Sequence, residues 1–300
     1  ASAAQIGIEN GLAIAGALRS VRMAGLSEEG GLFTFGQAYG NWRTFAPDRR
    51  GVAQADVDSS GYLGGVGYGN NTVGAALFVG RSDSKQRLGA IGARNDADGM
   101  FLGGRVHYAA GGLSAGATIL FDRAKADTVR NLVGGSSARS RYKLHGMTID
   151  GWVGYGWDIR DGWRVGPQLG LTHISVDRGA ARETGGGAFA LDVSKQKYDA
   201  TFLGADLKLE APGTQSLRPW VSIGVRHMLE GDAIGATGGI ASVGATYSVA
   251  GVERRETVPH VGGGLNVAIS ASVSLFVNGD AEFSGSNGQQ HVNGGVTFKF

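Results

Sequence analysis

A pentapeptide in this sequence has the spacing of a hydrolase nucleophile. Gly112-Leu-Ser114-Ala-Gly116 fits the G-x-S-x-G pattern, in which a serine on a sharp strand-to-helix turn attacks a carbonyl carbon. Here Ser114 lies inside the alternating run Leu113 to Phe121, which predicts a strand without a turn at the serine. We therefore expect no catalytic residue at this position.

The other residue types that could do chemistry lack the spacing that the chemistry requires. Gly65-Val-Gly67-Tyr-Gly69 resembles a dinucleotide-binding turn, but Asn70 stands where the third glycine belongs, and the sequence contains no P-loop. The six histidines show no metal-ligand spacing. They are His107, His145, His173, His227, His260 and His291. The sequence predicts no cofactor, no metal site and no nucleotide-driven reaction.

The composition narrows the class of protein further. Glycine accounts for 54 of the 300 residues and proline for only 5, while 42% of the residues are hydrophobic, so wholesale disorder is not expected. The net charge of +2 and the lack of a basic run predict no nucleic-acid partner. With no cysteine, the chain has no disulfide. No apolar stretch is long enough for a transmembrane helix, but a membrane barrel needs none.

Alternation with a period of two dominates the sequence after residue 30. In Leu113 to Phe121, every second residue is apolar, and Ser114, Gly116 and Thr118 occupy the other face. Twelve such segments can be drawn, and most reach the roughly 9–11 residues that a strand needs to cross a bilayer. They span 31–45, 58–69, 71–83, 97–110, 112–125, 140–160, 162–177, 193–211, 216–232, 253–269, 271–284 and 288–300.

The connections between these segments alternate in length. Long polar connections are predicted at 46–57, 84–96, 126–139, 178–192 and 233–252, and tight ones separate them. Outer-membrane barrels have short periplasmic turns and longer external loops. The sequence therefore predicts an all-β protein: a 12-stranded, antiparallel, up-and-down transmembrane β-barrel with both barrel termini in the periplasm.

The first 29 residues follow a helical pattern instead. Apolar residues recur at helical spacing, and Gly25 is placed as a stop, so we expect one helix from Ile6 to Ala24 followed by a linker. The predicted helix has a mixed face that suits a barrel lumen, although a membrane-surface helix or a disordered leader stays open. The residues of that face are Leu12, Ala15, Leu18, Arg19 and Arg22. The domain division is 1–29 for the linker with the pore helix and 30–300 for the barrel.

Charged residues in phase with the polar set are assigned to the lumen, because a charge on the lipid face costs about 2–4 kcal/mol at mid-membrane. They are Arg105, Asp122, Asp150, Asp206, Lys208, Arg226, Asp280 and Glu282. They either bind the helix through Arg19 and Arg22 or solvate a pore. Glycines on the same face leave room for aromatic rings. Aromatic residues near strand ends are expected in interfacial girdles, namely Trp42, Tyr68, Tyr108, Tyr155, Trp157, Trp163 and Trp220.

The last ten residues, HVNGGVTFKF, alternate like the other strands. Val296, Phe298 and Phe300 share one face, with Thr297 and Lys299 on the other. A terminal strand must pair with strand one to close a barrel, because an open edge in lipid leaves backbone groups unsatisfied.

Taken together, the helix followed by twelve strands and the final VTFKF resemble the translocator β-domain of a monomeric autotransporter, over essentially the whole chain. The resemblance implies a Gram-negative outer-membrane translocator and anchor that exports an N-terminal passenger domain to the cell surface (type V secretion). It also implies that the barrel-assembly machinery recognises Phe300, Phe298 and Val296, that outer-membrane lipid surrounds the barrel, and that the protein is a monomer.

The sequence departs from one autotransporter subgroup that cleaves itself at paired asparagines before an Arg-Met stretch. Aligned on Arg22-Met23, that position holds Ala17-Leu18, so self-cleavage by that route is not expected. Asn10-Gly11 could form a succinimide, but such a pair is usually only flexible backbone. Two other classes stay open: an outer-membrane barrel enzyme of the phospholipase or protease type, which needs a Ser/His or Asp/His set on adjacent strands, and a simple diffusion channel.

Overall fold

The computed structural model describes residues 2–20, 30–47, 54–89, 92–132, 134–212, 217–231, 235–240, 246–250, 254, 256–285 and 287–300. One helix, α1 (Ser2–Ser20), precedes twelve long strands. These are β1 (Gly31–Phe45), β2 (Ala55–Gly69), β3 (Val73–Leu88), β4 (Ala93–Ala110), β5 (Leu113–Asn131), β6 (Ser137–Tyr155), β7 (Arg164–Arg178), β8 (Gln196–Glu210), β9 (Leu217–Glu230), β10 (Thr257–Ala268), β11 (Val273–Ser284) and β12 (Asn287–Lys299).

The twelve strands form a closed antiparallel barrel. Each strand pairs with its neighbour in sequence, and β12 pairs with β1 from Phe33↔Lys299 to Thr44↔Gly288. The Phe300 amide extends this seam by donating to the Leu32 carbonyl at 2.9 Å. The predicted fold class is confirmed, and the C-terminal strand closes the barrel as expected.

The two rims of the barrel differ in their connections. One rim, called the turn end, holds the connections 70–72, 111–112, 156–163, 211–216 and 269–272, together with the start of β1 and the end of β12. The opposite rim, called the loop end, holds the longer connections 179–195 and 231–256. Because the number of strands is even, both ends of the barrel chain lie at the turn end.

Two of the predicted long loops are wrong. The predicted loop 84–96 is mostly strand, because β3 continues to Leu88 and β4 begins at Ala93. The predicted loop 126–139 is likewise shortened by β5 and β6, which pair up to Asn131↔Ser137. The outward face of these segments is polar or charged, which is possible only for strand segments outside lipid, and this polarity was mistaken for a loop.

The edge of the lipid-facing belt is visible along single strands. On the outward face of β3, Val73, Leu77 and Val79 are exposed apolar residues, and Arg81 and Asp83 follow them toward the loop end. On β5, the outward face changes from Phe121 to Arg123. An apolar band about 25 Å tall is the expected lipid contact of such barrels. The strands therefore rise beyond the belt at the loop end.

The aromatic residues predicted for the girdles divide into two groups. Six of the seven are exposed on the outside: Trp42, Tyr68, Tyr108, Tyr155, Trp157 and Trp163. The prediction for Trp220 is wrong, because its side chain points into the lumen. There its indole N–H donates to Asn278 Oδ1 at 3.2 Å, and Lys208 Nζ lies 4.7 Å from its ring centre. The register explains this, since Val221 and Ile223 carry the outward face of β9.

A second, smaller sheet lies at the loop end. Its strands are Ala181–Arg182, Leu191–Val193, Gly235–Ile240 and Thr246–Ala250, and it joins the two longest connections to each other. A bridge between Arg139 and Thr184 links it to the start of β6. The predicted loops 178–192 and 233–252 therefore contain strands of their own.

Helix α1 begins four residues before the predicted start at Ile6 and is described as far as Ser20. The rest of the predicted helix, 21–24, and the stop at Gly25 lie outside the described residues. In the ranges that the structure covers, no helix has the length and hydropathy to span a membrane.

The belt boundary predicts a position-dependent cost for arginine. Leu77→Arg should lower the free energy of unfolding by about 2–4 kcal/mol, because it places a charge on the lipid face near mid-membrane. Asp83→Arg, on the same face of β3 but beyond the belt, is the matched control and should change it little. Urea unfolding in lipid vesicles measures both, and equal effects would contradict the assigned boundary.

Candidate functional site

Helix α1 lies inside the lumen. Every residue from Ala4 to Leu18 is buried except Gly16, which is partly exposed. Toward the loop end, Ile6, Ile8 and Leu12 pack with wall residues that include Ile174, Val176 and Phe202. Toward the turn end, Ala13, Ile14, Ala17 and Leu18 pack with a second set of wall residues. Those wall residues are Phe33, Phe35, Tyr39, Leu63, Ala76, Phe78, Phe101, Leu120 and Phe276.

Lumen-facing glycines make room for the aromatic rings, as the sequence suggested. A Cβ at Gly65 would lie 2.5 Å from the Phe35 ring, and a Cβ at Gly103 would lie 2.5 Å from the Phe78 ring. No real Cβ tolerates so short a contact. The rings therefore lie flat against neighbouring strands, which leaves the centre of the barrel to the helix.

The helix also uses glycine to approach the wall. A Cβ at Gly7 would lie 2.9 Å from Val176 Cγ1, and a Cβ at Gly11 would lie 2.7 Å from Thr148 Oγ1. Residues four apart share one face of a helix. This face of α1 therefore rests directly on β6 and β7.

Near the turn end, α1 is held by the charge at Arg19. The guanidinium donates to both carboxylate oxygens of Asp150, at 2.9 and 2.5 Å, and to Thr172 Oγ1 at 3.2 Å. Thr172 itself donates to Asp150 at 2.7 Å. Arg105 donates to the Leu18 carbonyl, one of the last carbonyls of the helix. A cation there also compensates the negative end of the helix dipole.

Ten residues earlier, Glu9 anchors the loop-end half of the helix. Its carboxylate lies 2.8 Å from Arg43 Nε and 2.6 Å from Arg254 Nη1. Glu282 of the wall contacts the same two arginines and Arg226. Burial, together with the nearby positive charge of Arg43, lowers the pKa of Arg254 to about 10, so this guanidinium stays protonated at neutral pH. Three arginines and two glutamates thus form one buried cluster.

A neutral layer lies beside this cluster. Asn10 donates to Ser82 Oγ at 3.2 Å and accepts a hydrogen bond from the Tyr39 hydroxyl at 3.1 Å. The amide therefore has partners on β3 and β1. Together with Glu9 and Arg19, Asn10 gives the helix directional contacts that apolar packing alone does not supply.

A cavity of about 420 Å³ opens at the turn end, next to the end of α1. Basic side chains dominate the charges of its lining, with Glu210 as the acid. They are Arg19, Arg105, Arg164, Lys208 and Arg218. Ser114 also lines this cavity, but it lies within β5 and its Oγ is 3.5 Å from the Gly154 carbonyl oxygen. The serine has a strand neighbourhood and not a nucleophile elbow.

A protein-family comparison identifies the barrel. The model of the autotransporter beta-domain matches residues 34–280, which is most of the chain. The chain belongs to the autotransporter β-domain family. It is therefore an outer-membrane translocator of a Gram-negative bacterium, which exports an attached passenger domain.

Solved structures show the same fold as this autotransporter β-domain. The translocator domain of the autotransporter NalP from Neisseria meningitidis is 17% identical, with a TM-score of 0.77 over 100% of this chain and 97% of that one. The β-domain of the Bordetella autotransporter BrkA is 14% identical, with a TM-score of 0.68 over 90% of this chain and 100% of that one. The transport unit of AIDA-I from Escherichia coli is 12% identical, with a TM-score of 0.61 over 98% and 99%. No curated protein sequence matches this chain.

The residues predicted for the lumen of this autotransporter β-domain have different partners. Asp150 and Arg105 contact α1, and Glu282 contacts the arginines that bind Glu9. Arg226 forms a salt bridge with Glu282. Asp280 lies two residues before Glu282, on the same face of β11. Asp206 pairs with His260 at 2.5 Å, Lys208 pairs with Glu210 at 2.8 Å, and Asp122 is buried in the wall beside Gly146.

The predicted helix residues are placed more simply. Leu12, Ala15 and Leu18 are buried in the lumen, Arg19 binds Asp150, and Arg22 lies outside the described residues. On the terminal strand, Phe298 and Phe300 are exposed on the outside and Val296 is partly exposed on the same face.

Sequence reasoning missed three residues of the autotransporter lumen. Glu9 is the single acidic residue between positions 2 and 20, and Arg43 is in phase with the buried polar residues Gln37 and Asn41, so both carried a signal. Arg254 was read as part of the predicted strand segment 253–269, but the structure begins β10 at Thr257 and leaves Arg254 in the connection before it. In the described part of the chain, no group of three metal-ligating side chains is found.

Two glycines of α1 allow a matched test of the close approach to the wall. Gly→Ala favours a helix by about 1 kcal/mol. Gly16→Ala should therefore increase hydrogen-exchange protection of the α1 amides, because the nearest atom to its Cβ is 3.9 Å away. Gly11→Ala should decrease that protection, because overpacking against Thr148 and Ile174 costs about 1–3 kcal/mol. Equal protection in the two variants would show that α1 does not rest on β6 and β7.

Proposed function

We propose that the passenger precedes α1, leaves through the lumen at the loop end, and leaves α1 behind in the pore. The observation that supports this is the direction of the helix. Glu9 binds Arg43 near the loop-end limit of β1, whereas Arg19 binds Asp150 nearer the turn end, where β1 begins. A segment ahead of Ser2 would therefore emerge at the loop end.

In this proposal the turn end faces the periplasm. Both barrel termini are then periplasmic before passenger export, since β1 begins and β12 ends at that rim. The longer connections and the second sheet would face outward, as in other outer-membrane barrels. The basic cavity would be the entrance on the periplasmic side.

The outer surface supports three further partner assignments. The exposed apolar belt suits outer-membrane lipid. The terminal strand offers Val296, Phe298 and Phe300 to the barrel-assembly machinery, on the outward face of the seam. Because closure leaves no strand edge to pair with a second copy, we expect a monomer.

We also propose that the chain is not an enzyme. A hydrolase would need a Ser/His or Asp/His set, and Asp206 with His260 is such a pair. Both residues face the lumen, and neither lines the cavity at the turn end. No observation favours the barrel-enzyme or diffusion-channel alternatives over translocation.

Self-cleavage of the linker is not part of the proposed function. Ala17 and Leu18, at the position of the paired asparagines, are fully buried apolar residues of α1. Asn10 has both ends of its amide hydrogen-bonded, and Gly11 lies inside the helix, so the amide nitrogen is not free to attack the Asn10 backbone carbonyl carbon, the step that closes a succinimide and releases the Gly11 nitrogen.

Surface exposure of the N-terminus tests the direction of export. A peptide tag added before residue 1 should bind antibody on intact cells, and it should migrate with the barrel as one uncleaved chain on a denaturing gel. The same tag inserted between Gly111 and Gly112, at the turn end, should be detected only in opened cells. An N-terminal tag hidden on intact cells, with the turn-end tag exposed, would reverse the orientation.

Single-channel recording tests the role of the helix as a plug. A helix with its side chains is about 10–12 Å across, and a 12-stranded barrel lies in size between filled 8-stranded barrels and open porins. Deletion of residues 1–26 should therefore raise the conductance in planar bilayers several-fold over that of the full chain. Unchanged conductance would mean that α1 does not block the pore.

A further inference from the structure

We propose that a basic surface on the outside of β5 and β6 binds the phosphate groups of a phosphorylated glycolipid in the outer leaflet of the membrane. This surface, called the rim patch, consists of Arg123, Lys125, Arg139, Arg141 and Lys143. All five residues are exposed on the outward face. The inference rests on the proposed function in one respect, which is that the loop end faces the outside of the cell.

The rim patch begins where the apolar belt ends. On β5, Phe121 is the last exposed apolar residue, and Arg123 and Lys125 are the next two residues on the same face. On β6, the outward face runs from Ile149 through His145 to Lys143. Residues two apart on a strand are separated by about 7 Å. The first cations therefore lie at the depth of lipid headgroups and not far out in solution.

Within the rim patch, cations face each other across the strand pair. Lys125 lies directly opposite Lys143, and Arg123 lies opposite His145. Like charges directly opposite each other destabilise a sheet. Only Arg141 has a salt bridge to a described residue, at 2.7 Å from Asp127. A bound anion would remove the repulsion that remains.

The neighbouring acids on β4 are already engaged. Asp98 lies opposite Lys125 on the other side of β5, but its carboxylate is 3.9 Å from Arg81. Asp96 pairs with Arg94 at 2.6 Å. These contacts leave the rim patch with an excess of positive charge.

The outward face of β3 also carries Arg81, Lys85 and Arg87, but acids lie among them, at Asp83, and pair with them, at Asp98 and Asp58, so the excess of positive charge is greatest on β5 and β6. In the described strands β10, β11, β12 and β1, no lysine or arginine lies on the outward face, because Arg43 is buried in the lumen and Lys299 shares the face of the buried Thr297. A lipid with ordinary anionic headgroups would be attracted by any basic ring. A compact patch on two strands instead suits one ligand that carries more than one charge.

The chemistry of the side chains favours phosphate. Arginine binds phosphate through two parallel N–H groups, and lysine adds a mobile point charge. A phosphate attached to a lipid is favoured over free phosphate, because the acyl chains would pack on the belt directly below, at Phe121 and Ile149. Each cation near an anionic membrane surface contributes about 1 kcal/mol.

A fluorescence experiment on the full chain tests this proposal. Because the chain has no cysteine, Phe121→Cys gives a single labelling site at the base of the rim patch. The labelled protein is placed in phosphatidylcholine vesicles that contain a brominated diphosphoryl glycolipid, the same glycolipid without phosphates, or brominated phosphatidylglycerol at equal charge. We expect quenching by the diphosphoryl glycolipid well above its share of the bilayer, and no such enrichment of the other two.

Substitutions connect the enrichment to the rim patch. Lys125→Gln with Lys143→Gln should lower the enrichment about thirtyfold, which corresponds to the loss of about 1 kcal/mol for each of the two lysines. The matched control, Lys85→Gln with Arg87→Gln, removes the same charge from exposed residues on the outward face of β3 and should leave it unchanged. Equal enrichment in all variants, equal enrichment of phosphatidylglycerol, or displacement by inorganic phosphate alone would each overturn the proposal. A heat-modifiable band on a denaturing gel shows that each variant is folded.

A separate labelling experiment distinguishes failure of this proposal from failure of the proposed orientation. Arg141→Cys should react with a membrane-impermeant maleimide on intact cells. If it does not react, the loop end is not outside and the proposed function fails. If it reacts and the enrichment is independent of the rim patch, only the lipid site is wrong.

Discussion

The absence of water from the lipid interior is the constraint on which this structure depends. Each unsatisfied backbone group there costs several kcal/mol, so a strand can cross only if both of its edges are paired. The seam between β1 and β12 satisfies this requirement along twelve consecutive residue pairs. Alternation of side chains follows from closure, because one face of every strand must meet lipid and the other must meet the lumen. The position of each residue in the wall is thereby set by its parity.

The lumen presents the opposite problem, since a space of this size must be filled by protein or by water. Glycine in the wall and a helix of small and aliphatic residues together fill it. Buried charged groups destabilise the fold unless they are paired. Removal of one partner of a buried pair is strongly destabilising, because it leaves the other charge without a counter-charge. The helix carries one acid and one base, and both meet their opposite on the wall. We infer that these two contacts determine the position of the helix along the barrel axis more than they increase its stability.

Much of this arrangement could be predicted from parity and spacing. The outward face of β5 and the lumen position of Asp150 follow from the alternation of every second residue. The pairing of the terminal strand with β1 follows from the need to close the barrel. The lengths of β3 to β6 could not be predicted in the same way, because strand segments outside the membrane need no apolar residues on their outward face. Trp220 was misassigned because proximity to a strand end outweighed its phase. Arg254 was read as part of the strand segment 253–269, and its contact with the helix was missed because that contact depends on how the connection before β10 folds back into the barrel.

The position of Arg254 restricts how such a barrel can be engineered. It belongs to the 231–256 connection, yet its guanidinium is in salt-bridge contact with Glu9 and Glu282 inside the pore. A foreign epitope that replaces this connection would also remove the buried positive charge that pairs with Glu9. The replacement would therefore weaken the binding of α1 inside the pore, far from the inserted residues. Display libraries built on this scaffold are better inserted between β5 and β6, where the hairpin already stands clear of the bilayer.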